Sequence, residues 1–89
     1  MYLRCFCIYD SKAEAYLPPF FMKSKGEAIR AVISTVNDPQ SNFHKYAEDF
    51  VLFELGHWQE DNATFSLLPA PHSLGVLCEF KKQAKLESE

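Results

Sequence analysis

The side chains able to do chemistry are few and widely scattered. Cys5 and Cys7 stand two apart, and Cys78 lies far downstream. A structural zinc site needs about four ligands closing a tetrahedron, and this C-x-C has no second pair to complete one. An odd number of cysteines without framework spacing fits a reducing compartment, where a thiol behaves as a small buried hydrophobe. His44, His57 and His72 lack the i, i+4 spacing of a metalloprotease pair, and no nucleophile, base and orienting acid stand together, so they read as surface histidines. Glu48-Asp49 precedes a strand and suits capping or a turn. Gly26, Gly56 and Gly75 are the only glycines, which leaves no phosphate-cradling loop. These residues predict no catalytic group, metal, cofactor or small-molecule substrate, and therefore a protein that is not an enzyme.

One arrangement can hold a ligand. Lys23 and Lys25 flank Ser24 at a helix start, Arg30 follows on the same helix, and Lys45-Tyr46 sits in the next connection. Free backbone N–H groups at a helix start attract phosphate, and neighbouring lysines strengthen that. Tyr16, Phe20 and Tyr46 offer faces for stacking on single-stranded bases or for an interface. The plainer reading pairs Arg30 with Glu27 at i+3 and gives Lys23 to the protection of an edge strand. The formal net charge of −3 weighs against a strong autonomous nucleic-acid binder, since Lys and Arg on phosphates supply most of that affinity. A local basic patch, or such a patch repeated in an oligomer, is the form such binding would take.

The elements that position these residues follow from patterning. Residues 2–9, YLRCFCIY, alternate with both faces apolar, as in a central strand covered on two sides. Asp10-Ser11-Lys12 opens a turn. Pro18-Pro19 excludes a helix interior or central strand, so an irregular approach should lead to a short edge strand over 20–23. Ser24 with Glu27 has capping-box spacing, Ile29, Val32, Ile33 and Val36 form an apolar stripe, and Asn37-Asp38-Pro39 ends the helix, predicting it over 25–36. A helical turn is expected near Asn42 to Tyr46. A second strand should run from Phe50 to Trp58, with a bulge or bend at Gly56. A turn at Glu60-Asp61-Asn62 should lead into an antiparallel partner over 63–68. Pro69-Ala70-Pro71-His72 is expected to break the sheet before a last strand over 74–80, placing Cys78 in a strand that could neighbour the other thiols.

Eighty-nine residues make one domain, and a hydrophobic share of 47% can fill its core without staples. The expected fold is α+β, a small, mainly antiparallel sheet of four to five strands packed against one main amphipathic helix. Residues 1–80 form that domain and 81–89 a charged, flexible tail. Eight Phe, four Tyr and one Trp exceed what the core requires, which leaves aromatics for an oligomer interface or a ligand. The N-terminus lacks the features of a signal peptide, and no apolar run reaches the roughly 20 residues that span a bilayer. A cytosolic protein is expected, with no membrane partner.

The strings YDSKAEAYLPPFF, KGEAIRAV, VNDPQSNFHKYAEDFVLFELG and SLGVLCEFK resemble the small nonstructural protein of gokushovirus-type microviruses, bacteriophages with circular single-stranded DNA genomes. The likeness covers about residues 3–82. Its most specific pieces are Pro19-Phe20-Phe21, Ala28-Ile29-Arg30, Val36-Asn37-Asp38, Tyr46 with Glu48-Asp49, and the run Leu52 to Gly56. Pro18 and Ala47 stand where members vary. The resemblance implies a protein of the host bacterial cytoplasm that binds DNA, single-stranded by preference, during genome replication or the switch to single-stranded genome synthesis and packaging. It carries over no catalytic or DNA-contact motif. The alternative is a homo-oligomeric interaction module that engages a phage or host replication protein and leaves DNA alone.

Overall fold

β1 (Tyr2–Asp10) lies in the middle of the sheet, as a strand apolar on both faces must, with Cys5, Phe6, Cys7 and Ile8 all buried. The computed structural model describes residues 2–81. Along one side β1 pairs with two short strands, β2 (Ala15–Tyr16) and β3 (Phe20–Met22). Along the other it pairs with β4 (Phe50–Gln59), which pairs in turn with β5 (Thr64–Val76). All four pairings are antiparallel and the sheet is curled, giving the expected α+β fold.

α1 (Lys25–Val36) begins where the capping signal places it. Ser24 Oγ accepts from the Glu27 amide at 3.2 Å, while Glu27 Oε1 accepts from the Lys23 amide at 3.2 Å. The buried stripe is Ala28, Val32 and Val36, with Ile29 and Ile33 half-buried beside it. It packs on Phe6, Ile8, Phe50 and Leu52 to form the core. A short helix, α2 (Asn42–Lys45), and a 3-10 turn over Ala47–Asp49 then lead into β4.

Two expectations are corrected. Residues 69–72 do not end the sheet. β5 runs on to Val76, and the irregularity is taken up locally: Glu54 faces His72 while Gly56 already faces Leu67, so residues 68–71 form an enlarged bulge opposite Leu55. A bulge absorbs the prolines, whose missing N–H cannot join the ladder. Nor is 74–80 a strand. Residues 74–76 finish β5, and 77–81 are helical, with Leu77 and Phe80 buried against α1 and the sheet. The spacing of three between those two suits a helical turn as well as a strand, and only packing on the core decides it. Cys78 therefore sits on the helical side of the sheet. The expected tail falls at 82–89, outside the described residues, apart from Lys81, which is helical and donates Nζ to the His44 carbonyl at 3.2 Å.

Candidate nucleic-acid interface

The capping box sets the geometry at the start of α1. The Glu27 carboxylate and the Ser24 hydroxyl already engage amides there. An incoming phosphate would meet the lysine side chains more readily than the helix amides. Arg30 is exposed and does not pair with Glu27; the one ion pair among the described residues is Arg4 with Glu54. That pair is a two-pronged contact, Nε to Oε2 at 2.8 Å and Nη2 to Oε1 at 2.9 Å, and the hydrogen bond to Glu54 raises the Arg4 pKa above its ordinary value. Lys12, Lys23, Lys25, Arg30 and Lys45 are exposed, and none of their side chains has an ionic partner among the described residues.

These cations are not gathered at one point. Lys23 and Lys25 stand at the N-terminal end of α1. Lys45 stands at the other end, because His44 Nδ1 contacts the Val36 carbonyl at 2.9 Å and seats α2 beneath the last turn of α1. Twelve residues at 1.5 Å each separate the two groups by about 18 Å, with Arg30 between them on the outer side of the helix. Tyr46, 54% exposed, follows Lys45 directly. Tyr16 is 53% exposed on the edge strand β2. Phe20 is half-buried, its ring stacked on Phe6 at 5.8 Å, and it lines an apolar cleft of about 400 Å³ with Met22, Val32 and Phe43. The one hydroxyl lining that cleft, Thr35 Oγ1, donates to the Ala31 carbonyl at 3.0 Å.

The other face of the sheet carries aromatics that, Tyr16 apart, pattern reading did not single out. Directly paired residues point the same way in an antiparallel ladder, so Leu3, Trp58 and Phe65 form one row and Phe21, Cys5, Gly56 and Leu67 the next. Tyr9, Tyr16 and Phe53 cluster further along, with ring centroids 4.7 to 6.5 Å apart. Phe65 contacts both Trp58, at 4.9 Å, and Phe21, at 6.0 Å, although β1 and β4 lie between β3 and β5. The curl of the sheet brings those rings together. This face presents no charged side chain in any of these rows. The signal was present as period-two alternation in β1 and β4, but bulges at Cys5/Phe6 and Glu54/Gly56 obscured which residues share a row.

The two thiols of β1 are buried, as a strand apolar on both faces requires. Cys5 and Cys7 are each 2% exposed, and burial pushes both pKa values up. No group of three or more His, Cys, Asp or Glu among the described residues could hold a metal. Of the histidines, His72 is exposed, whereas His44 is a half-buried support for α2 and half-buried His57 packs against the Tyr2 ring at 4.7 Å.

These features define a small α+β protein with one helical layer, a second sheet face that is aromatic and, among the described rows, uncharged, and surface cations strung along its main helix. The chain belongs to the family described as Phage ORF5 protein, whose model matches residues 3–80, and it is therefore a bacteriophage protein. No curated protein and no solved structure matches it. None of the described helices is long and apolar enough to cross a membrane.

Proposed function

We propose that this is a non-enzymatic accessory protein of a gokushovirus-type microvirus, acting in the host bacterial cytoplasm and binding single-stranded DNA during genome replication or packaging. The observation that carries this reading is the state of the helix cations. Lys23, Lys25, Arg30 and Lys45 are exposed and free of ionic partners among the described residues, so phosphates could approach them without first displacing a carboxylate. Their span of about 18 Å corresponds to at most about five phosphates, the number at the 3.4 Å spacing of a duplex strand. Tyr46 beside Lys45 offers a stacking face at one end.

Fluorescence anisotropy with a labelled single-stranded oligonucleotide, at about 50 mM and about 200 mM salt, tests it. Binding that weakens with salt and is lost in the combined variant Lys23→Ala, Lys25→Ala, Arg30→Ala is expected. No binding at the lower salt refutes the reading.

One observation favours the second reading, a homo-oligomeric module that engages a phage or host replication protein. An antiparallel sheet normally turns a polar face to water, and here the face away from α1 is aromatic and uncharged. A pulldown from infected host lysate that recovers a replication protein, with no DNA binding by the purified chain, would select this reading.

A further inference from the structure

We propose that the first half of β5, Thr64–Leu68, is a self-pairing edge, and that two copies of the chain join there, antiparallel about a twofold axis through Ser66. Among the described residues β5 has a ladder partner on one side only, β4, so the outer backbone N–H and C=O groups of this strand have no partner in the described sheet. Natural edge strands are guarded by short length, charge, proline or bulges. The opposite edge follows that pattern: β2 and β3 have two and three residues, with Pro18-Pro19 before β3 and Lys23 after it. The later part of β5 follows it too, through the bulge at 68–71 and its two prolines. Thr64–Leu67, ahead of that bulge, has no such guard. No Asp, Glu, Lys or Arg occurs between Asp61 and Glu79, and Phe65, Leu67 and Leu68 are 51%, 69% and 39% exposed.

The occupant follows from charge, pattern and area. A nucleic acid would need cations, and this strand has none. With Ser66 opposite Ser66, Phe65 of each copy faces Leu67 of the other on the uncharged aromatic face, an aromatic–aliphatic cross-strand pair of the kind that stabilises sheets. Nothing in the segment repels an identical copy. At roughly 200 Å² for a large side chain, the three exposed apolar residues offer about 300 Å² per copy. With the strand edge itself, two copies would cover about 1,000 Å² in all, near the lower limit of a specific interface. A concentration-dependent dimer is the form this predicts, and it stands independently of DNA binding.

Sedimentation velocity on the full chain, from about 1 to about 100 µM, should show monomer passing to dimer. Leu67→Lys should weaken the dimer by about tenfold or more, with unchanged far-ultraviolet circular dichroism because the residue is exposed. In a Cys78→Ser background, Ser66→Cys should form an intermolecular disulfide faster than Thr64→Cys, whose side chain lies opposite Leu68 in this register. A chain that stays monomeric at the highest concentration overturns the proposal, whether or not it binds DNA. So does a dimer that is indifferent to Leu67→Lys, or one in which position 64 cross-links as readily as position 66.

Discussion

At the scale of single residues, Ala63 bears a conformational cost that its identity does not require. It ends the turn between β4 and β5 with φ of 57°, in the left-handed region where a Cβ crowds the following carbonyl. Ala63→Gly removes that contact at the cost of extra freedom in the unfolded chain. The net expectation is a gain of about 0.5–1 kcal/mol, read as a higher urea midpoint at unchanged slope. The buried thiols give a pH-dependent expectation. Burial raises the pKa of Cys5 and Cys7 above the ordinary 9.0, so above that value the unfolded chain releases thiol protons that the folded chain retains. Unfolding then becomes easier as pH rises, and the contribution present below 9.0 is progressively lost. The double variant Cys5→Ala, Cys7→Ala should show a shallower decline between about pH 9 and about pH 10.5 in urea titrations, from a lower starting stability. Neither feature was legible beforehand in full. The burial of Cys5 and Cys7 follows from a strand apolar on both faces, but the backbone angle of Ala63 depends on turn geometry that Glu60-Asp61-Asn62 only announces.

At the scale of elements, the parts read correctly are those whose signals are local. Ser24, Glu27 and Pro39 bracket α1, and the observed helix, Lys25–Val36, follows them. Ser24→Ala should cost about 1 kcal/mol, because the Glu27 amide loses its acceptor at the first turn; thermal unfolding checks it. The parts misread depend on contacts between distant segments. Leu77 and Phe80 could sit in a strand or a helical turn, and their burial against α1 and the sheet chose the helix. Gly56 was legible as a bend, though the reason for glycine was not. A Cβ there would stand 2.1 Å from the Ser66 carbonyl oxygen and 2.8 Å from the Leu67 Cα, both backbone atoms, at φ of 152°. Gly56→Ala should therefore cost about 3 kcal/mol or more and splay β5 from β4. Gly75→Ala meets only side-chain atoms, the Phe80 ring at 3.4 Å and Glu79 Oε2 at 3.6 Å, and should cost less despite its own positive φ. Equal losses for the two glycines in urea titrations would contradict this account of the bulge.

At the scale of the whole molecule, the charge balance and the candidate interface pull in opposite directions. A chain of net charge −3 gains little from long-range attraction to DNA, so the proposed binding would draw its affinity from close contacts at a few exposed cations. Their existence was readable from the residue types, but their spacing was not, since only the seating of α2 by His44 places Lys45 at the far end of α1. That spacing makes the salt dependence diagnostic. Each phosphate neutralised on a single strand contributes about −0.7 to the slope of log K against log salt. Contacts through Lys23, Lys25, Arg30 and Lys45 of one copy should give a slope of about −3, and two copies joined along β5 on one strand about −6. Lys45→Ala should reduce the single-copy slope by about 0.7, while Lys12→Ala, on the loop after β1, should leave it unchanged. In Leu67→Lys, loss of the dimer should return a doubled slope to the single-copy value, since linked sites multiply contacts only while both engage. A slope that ignores Lys45 would confine the contacts to the start of α1, and one that ignores Leu67→Lys would mean that a single copy binds alone.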